Sequence, residues 1–348
     1  VRAQTAQSMF FAVIYQVILS LICLALIYRF VLRPLRLVQH GIHLYRESKN
    51  SAMVCDELSQ VHSRNEIGEL SEGVSELSRE IDDYLYRIAS ITAEKQRIDT
   101  ELTLATHIQE DMLPSTFPPF PDRREFEIYA SMDPAKEVGG DFYDFFLVDQ
   151  DHLCMVIADV SGKGIPAALF MMASKIILAN NAKLGQSPAR VLEVANASIC
   201  STSRQEMFVT VWLGILEIST GKLVAANAGH EYPALKPAEG AFELYRDRHG
   251  FVIGGMDGMR YHEYEVQMNP GDSLFLYTDG VPEAMNADGV LFGTDRMLAA
   301  LNADRSTDPE QVLMRVREAV DGFVTEAEQF DDLTMLCMTY HGPESRKA

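Results

Sequence analysis

Basic residues are scarce: 30 Lys and Arg stand against 50 Asp and Glu in 348 residues, a formal net charge of −20. The deficit is uneven, with −4 over residues 1–113 and −16 over residues 114–348. A surface that acidic repels phosphate backbones and argues against nucleic acid as a partner. Cysteine is sparse as well. Cys23, Cys55, Cys154, Cys200 and Cys337 are scattered with no C-x-x-C pair, which excludes a disulfide scaffold or structural zinc site and fits a reduced cytoplasmic body. Gly162-Lys163-Gly164 is not a phosphate-binding P-loop, because no G-x-x-x-x-G-K-S/T run surrounds it. No Cys-x5-Arg loop or G-x-S-x-G elbow offers a nucleophile, and the histidines are not clustered as ligands. With 47% apolar residues the chain is no bulk disordered polymer, and its length suits about two domains.

One stretch near the start reads as a membrane span. From Met9 to Tyr28, twenty residues carry no formal charge, enough for a helix across a hydrocarbon core of about 30 Å. Arg29, Arg33 and Arg36 follow at once, whereas only Arg2 precedes. The positive-inside rule therefore places the C-terminal side in the cytoplasm. The apolar part is too long for a signal peptide and does not end in small residues. The expected location is a bacterial cytoplasmic membrane, crossed once, with a short extracytoplasmic start in residues 1–32. A sensor and a first membrane helix ahead of Val1 would be compatible with that start.

Pro34 lies just past the span, followed by an amphipathic stretch, a polar connector near residues 48–58, and a second helical stretch opening near Asn65–Leu70. With the Glu66-Ile67-Gly68 step, residues 33–75 resemble a HAMP domain, a parallel helix pair that couples membrane helices to cytoplasmic output. Downstream, Leu70, Val74, Leu77, Ile81, Tyr84, Ile88, Ile91, Lys95, Ile98, Leu102, Ala105, Gln109 and Met112 recur in alternating steps of four and three. Such a pattern reads as a coiled-coil seam, interrupted at Lys95 and Gln109. It predicts a coiled-coil linker over residues 76–113 and a parallel homodimer. Pro114 and the run Pro118-Pro119-Phe120-Pro121 end the helix and open the next domain.

Residues 114–342 read as one α+β domain, followed by a tail, 343–348. Strands are expected at Phe126–Ser131, Leu153–Val160, Phe208–Ile218, Lys222–Asn227, Tyr261–Met268, Ser273–Thr278 and Leu333–Tyr340, and helices at Pro166–Asn181, Pro188–Ser203 and Asp308–Phe323. Strands grouped with strands argue against alternating β-α units and for two largely antiparallel sheets packed as a sandwich, helices outside.

Four acidic spots stand at the ends of apolar strands or beside glycines: Asp141 in VGGDFYD, Asp159 in ADVSGKG, Asp279 in LYTDG, and Asp331-Asp332 in FDDLT. Gathered carboxylates repel one another and take up protons unless a cation sits among them. Oxygen ligands with no nearby His or Cys favour Mg²⁺ or Mn²⁺ over zinc.

The blocks Pro134–Asp144, Ala158–Met171, Asn227–Pro233, Leu276–Asn286, Leu291–Gly293 and Phe330–Thr334 resemble the PPM (protein phosphatase 2C-like) superfamily of metal-dependent serine/threonine phosphatases, in its SpoIIE/RsbU branch. The resemblance covers residues 100–342, including the helix end Thr106–Ser115. It implies a PPM-type sandwich and two Mn²⁺ or Mg²⁺ ions. Asp159 would bridge both; Asp279 and Asp331 would serve the first metal and Asp141 the second, with the Val160 carbonyl as a backbone ligand. Asp144 and Asp332 are left without a role. Many members hold the substrate phosphate with an arginine; here Lys136 is the nearest basic residue, a point charge rather than a fork. Two cations roughly 3.5–4 Å apart acidify a shared water and hold it in line with phosphorus, so no protein nucleophile is needed. His230 reads as structural rather than as a general acid. In this branch the substrate is usually a phosphorylated STAS-domain anti-anti-sigma factor in a partner-switching pathway.

GGDFYD also resembles the diguanylate cyclase signature, but that reading leaves the other three acidic blocks unexplained and predicts alternating helices and strands. No nucleotide-binding glycine boxes of the histidine-kinase type are present. The alternative within the fold is a catalytically silent signalling scaffold.

Overall fold

The computed structural model describes residues 2–202 and 207–343. These fall in two compact units divided between Asp99 and Thr100.

In the first unit, helix α1 (Arg2–Ile27) runs through a π-helical turn (Tyr28–Leu32) into α2 (Arg33–Ser48). The apolar stretch at its start has a mean hydropathy of 2.7, is wholly unburied, and is long enough to cross a membrane. The helix does not stop at Pro34. A proline ring inside a helix meets the carbonyl four residues back, here that of Phe30. The Arg33 N–H instead reaches the Tyr28 carbonyl, so the widened turn comes immediately before the proline. The connector expected at residues 48–58 is a helix, α3 (Ser51–Leu58). Asn50 caps it, its Oδ1 accepting from the Ala52 and Met53 N–H groups. Val54 and Leu58 pack on Val38, with Ile67 and Val74 of α4 (Glu66–Met112) completing the cluster. Apolar content too brief for a periodicity hid this helix.

In the second unit, strands β1 (Phe126–Asp133), β2 (Phe142–Leu147), β3 (His152–Val160), β4 (Val209–Glu217), β5 (Lys222–Ala228), β6 (Ala234–Lys236), β7 (Glu243–Leu244), β8 (Glu263–Gln267), β9 (Ser273–Tyr277) and β10 (Leu333–Tyr340) form two antiparallel sheets. Their orders are β1-β10-β9-β6-β7 and β2-β3-β4-β5-β8. The second is covered by α5 (Ile165–Lys183) and α6 (Pro188–Thr202), the first by α7 (Gly293–Leu301) and α8 (Pro309–Val324). The expected helix end at Ser203 and the tail beyond Pro343 lie outside the described residues. Strands β2, β6 and β7 and helix α7 were not foreseen; β2 is apolar on both faces and so shows no alternation.

Alternation along each strand sorts side chains between two cores. On β3, Leu153, Met155 and Ile157 enter the core between the sheets, while Cys154, Val156, Ala158 and Val160 face α5 and α6. On β10, Leu336, Met338 and Tyr340 point inward and Leu333, Met335 and Cys337 point toward α7 and α8. Fully burying side chains of this size contributes about 1.5–3 kcal/mol each, so a one-residue slip of register would be heavily disfavoured.

Candidate active site

The inward face of each central strand ends in a polar residue at one end of the sandwich. Asp159 continues the Leu153-Met155-Ile157 stripe, Asp141 precedes Tyr143 and Phe145, Thr278 follows Leu274 and Leu276, and Thr334 and Asp332 extend the Leu336-Met338 stripe. Antiparallel pairing of Phe142 with Ala158 carries Asp141 opposite Asp159. Pairing of Met335 with Tyr277 likewise brings Asp331 and Asp332 to the turn at Asp279 and Gly280.

Asp141 is buried, and the Thr278 hydroxyl donates to its Oδ2 at 2.6 Å. Burial, followed by the charges of Asp159 and Asp332, pushes its carboxyl well above the usual range. Asp159 is pushed up to about 7, by burial first and then by Asp279. Asp279 is pushed up to about 6, by burial and then by Asp331. A Cβ added at Gly140 would come within 3.0 Å of the Val160 carbonyl oxygen, so that oxygen faces the loop bearing Asp141.

Asp332 has a different task. Its Oδ1 accepts from the Ala135 N–H at 2.8 Å, and its Oδ2 from the N–H groups of Gly140 at 2.6 Å and Asp141 at 3.4 Å. It ties the Gly139-Gly140-Asp141 loop to β10. Glycine is required beside it: a Cβ at residue 280 would lie 2.0 Å from the Asp332 carbonyl oxygen. Asp144 stands apart from the group, in a largely buried ion pair with Lys175 of α5 at 2.6 Å.

Lys136 is exposed on the loop after β1 and, among the described residues, has no ion-pair partner. The cation that reaches the carboxylates is Lys163, unforeseen in this role. Its ammonium lies 2.9 Å from Asp331 Oδ2 and 3.9 Å from the centre of the Phe330 ring, and donates to the Phe330 carbonyl. The sequence signal was its place in the loop directly after Asp159 and Val160. His230 is buried, shares a hydrogen between Nδ1 and the Thr210 hydroxyl at 2.9 Å, and is driven by burial to a pKa of about 3, so its imidazole is neutral.

Among the described residues, no three of these side chains converge into a closed ligand set. The fit to a cation rests on donor chemistry: buried oxygen ligands whose proximity raises one another's proton affinity are relieved by positive charge. Beside Asp331 lies a cleft of about 220 Å³ whose lining includes Gly280, Arg317, Gln329 and Phe330.

Known proteins share this architecture. The sequence profile of the family described as Stage II sporulation protein E (SpoIIE) matches residues 149–341. Protein IcfG of Synechocystis sp. is 30% identical over 265 residues, 68% of this chain and 41% of that protein. Phosphoserine phosphatase RsbU of Bacillus subtilis is 30% identical over 198 residues, 57% of this chain and 58% of that one. The chain thus spans about half the length of these curated relatives. Among solved structures, the SiaA-PP2C domain of Pseudomonas aeruginosa superposes with a TM-score of 0.61 at 25% identity, covering 71% of this chain and 99% of that domain. With more than half of its residues matched by the family profile, and with a sandwich shared with a PP2C domain, the chain belongs to the SpoIIE family of PPM-type phosphatases.

Proposed function

We propose that this chain is a membrane-anchored, metal-dependent phosphoserine/phosphothreonine protein phosphatase. The observation that carries the reading is the gathering of Asp141, Asp159 and Asp279 at one end of the sandwich, each with a carboxyl pushed up by burial and by neighbouring carboxylates. Asp159, Asp279 and Asp331 would hold one Mn²⁺ or Mg²⁺ and Asp141 with Asp159 the other, the Val160 carbonyl adding a backbone oxygen. Bound there, the cations would supply an acidified water and neutralise charge on the phosphoryl oxygens. The chain's own residues set the stage. Thr278 orients Asp141, Asp332 pins the loop, and Lys163 or the exposed Lys136 offers a positive charge to the substrate phosphate.

The substrate is proposed to be a phosphorylated STAS-domain protein. RsbU, with which this chain shares 30% of aligned residues, is named a phosphoserine phosphatase. The apolar stretch in α1 supports anchoring in a bacterial cytoplasmic membrane with the catalytic domain in the cytoplasm. Leu77, Ile81, Tyr84, Ile88, Ile91 and Ile98 are exposed along α4 in the single chain, an apolar stripe that suits a parallel homodimer. The test is phosphate release from a phosphoserine-bearing STAS protein by the full chain, with Mn²⁺ and with EDTA. Release with Mn²⁺ alone supports the reading; none under either condition favours the silent scaffold.

A further inference from the structure

The loop that carries Asp141 is held from two sides, by Asp332 on one and by helix α4 on the other. Gln109, near the C-terminal end of α4, is 4% exposed. Its amide lies against a single residue: Nε2 donates to the Gly139 carbonyl at 2.7 Å, and Oε1 accepts from the Gly139 N–H at 3.0 Å. One turn earlier the Thr106 hydroxyl donates to the Glu137 carbonyl at 2.6 Å. The coiled-coil pattern treats Gln109 as an interruption of the seam. Its side chain instead makes with Gly139 the paired exchange of hydrogen bonds found between facing strand residues.

Two further facts make this contact a constraint on Asp141 and not a general support. Gly139 is two residues from Asp141, and the intervening Gly140 N–H is held by Asp332 at 2.6 Å. Gly139 is also closely packed, since a Cβ there would lie 2.3 Å from Met132 Cε and 2.6 Å from Asp332 Oδ2. A buried amide costs free energy unless its polar atoms are satisfied. Here one residue satisfies both ends, and losing the glutamine would leave the N–H and carbonyl of Gly139 without the partners they have among the described residues.

We infer that Gln109 is a positioning residue for Asp141, and that through it the last turns of α4 set how tightly the cation is held. The inference rests on the proposed role of Asp141 as a metal ligand. Groups that orient metal ligands from outside typically change metal affinity by about 10–100-fold when removed.

The test is Mn²⁺ binding to the full chain in detergent micelles, followed by calorimetry, with the half-saturating Mn²⁺ for phosphate release measured in parallel. Gln109→Leu is expected to weaken Mn²⁺ binding about 10-fold or more, with turnover largely recovered at saturating metal. Thr106→Val is expected to shift it in the same direction by less. Tyr143→Phe serves as the control, since it removes a 2.8 Å hydrogen bond to the Pro114 carbonyl at the same helix exit. It is expected to lower the melting temperature and leave Mn²⁺ binding unchanged. Should Gln109→Leu fail to fold, Gln109→Asn, one methylene short of Gly139, replaces it with the same expected direction. Unchanged Mn²⁺ binding in the Gln109 variant, or an equal loss in Tyr143→Phe, overturns the inference. Asp141→Asn separates the two levels: if it too leaves Mn²⁺ binding unchanged, the ligand assignment itself has failed, whereas a loss there beside an intact Gln109 variant defeats only the positioning role.

Discussion

Five aspartates crowd one end of the sandwich, yet they divide by what they touch. Asp332 is spent on backbone N–H groups, whereas Asp159 and Asp279 face each other's charge. Asp159 and Asp279 titrate at about 7 and about 6 in the folded chain, above the value of about 4 expected when unfolded. The metal-free fold therefore holds protons that the unfolded chain releases. The stabilisation they provide is complete below pH about 4 and is lost as pH rises through 6 and 7. In EDTA the melting temperature is expected to fall between pH 5 and pH 8, and Asp159→Asn to flatten that fall. A wild-type fall that Asp159→Asn leaves unchanged would contradict the assignment. Lys136→Ala gives a second residue-level outcome: if Lys136 meets the substrate phosphate, KM rises more than kcat falls, and unchanged kinetics would leave that role to Lys163. The aspartates were legible in the sequence because each ends an apolar strand or stands beside glycine. Lys163, Thr278 and Gln109 were not, because their roles depend on contacts between segments far apart in the chain: Lys163 meets Phe330 and Asp331, and Thr278 meets Asp141.

At the scale of elements, long apolar runs bounded by polar residues were easy to read, and a short aromatic run directly after an acidic block was missed. β10 spans the expected Leu333–Tyr340, because a largely apolar run bounded by Asp332 and His341 has few other fates. No strand is expected over β2, because Phe142, Tyr143, Phe145 and Phe146 give no period. Asp144, within it, faces Lys175 with both side chains largely buried. Removing one partner of such a pair costs about 3–5 kcal/mol, while replacing both with apolar residues of similar size is often neutral. Lys175→Met is thus expected to lower stability in urea melts by about 3–5 kcal/mol, and Asp144→Leu with Lys175→Met to recover most of it. A double variant as unstable as the single one would show that the charges do more than satisfy each other.

On the scale of the whole molecule, a long apolar helix, a small helical cluster around Val38, Val54 and Leu58, and a phosphatase-type sandwich share one chain. The sequence displayed the long apolar stretch and the sandwich clearly, the first through composition and the second through strand runs and repeated strand-end acids. It showed the heptad pattern as well, but could not tell where that pattern turns inward at Gln109. Upstream of that point, the proposed parallel dimer predicts that single cysteines at Leu77 or Ile98 crosslink to their own copies in membranes. Absence of crosslinks at both would reduce α4 to a tether. The central claim is that Asp159 and its neighbours make this chain a metal-dependent phosphatase. The most direct test is phosphate release from a phosphoserine protein at saturating Mn²⁺, by wild type and by folded Asp159→Asn. The account predicts release by wild type, abolished by EDTA, and a loss of several orders of magnitude in the variant; wild-type rates in Asp159→Asn, or release indifferent to EDTA, would contradict it.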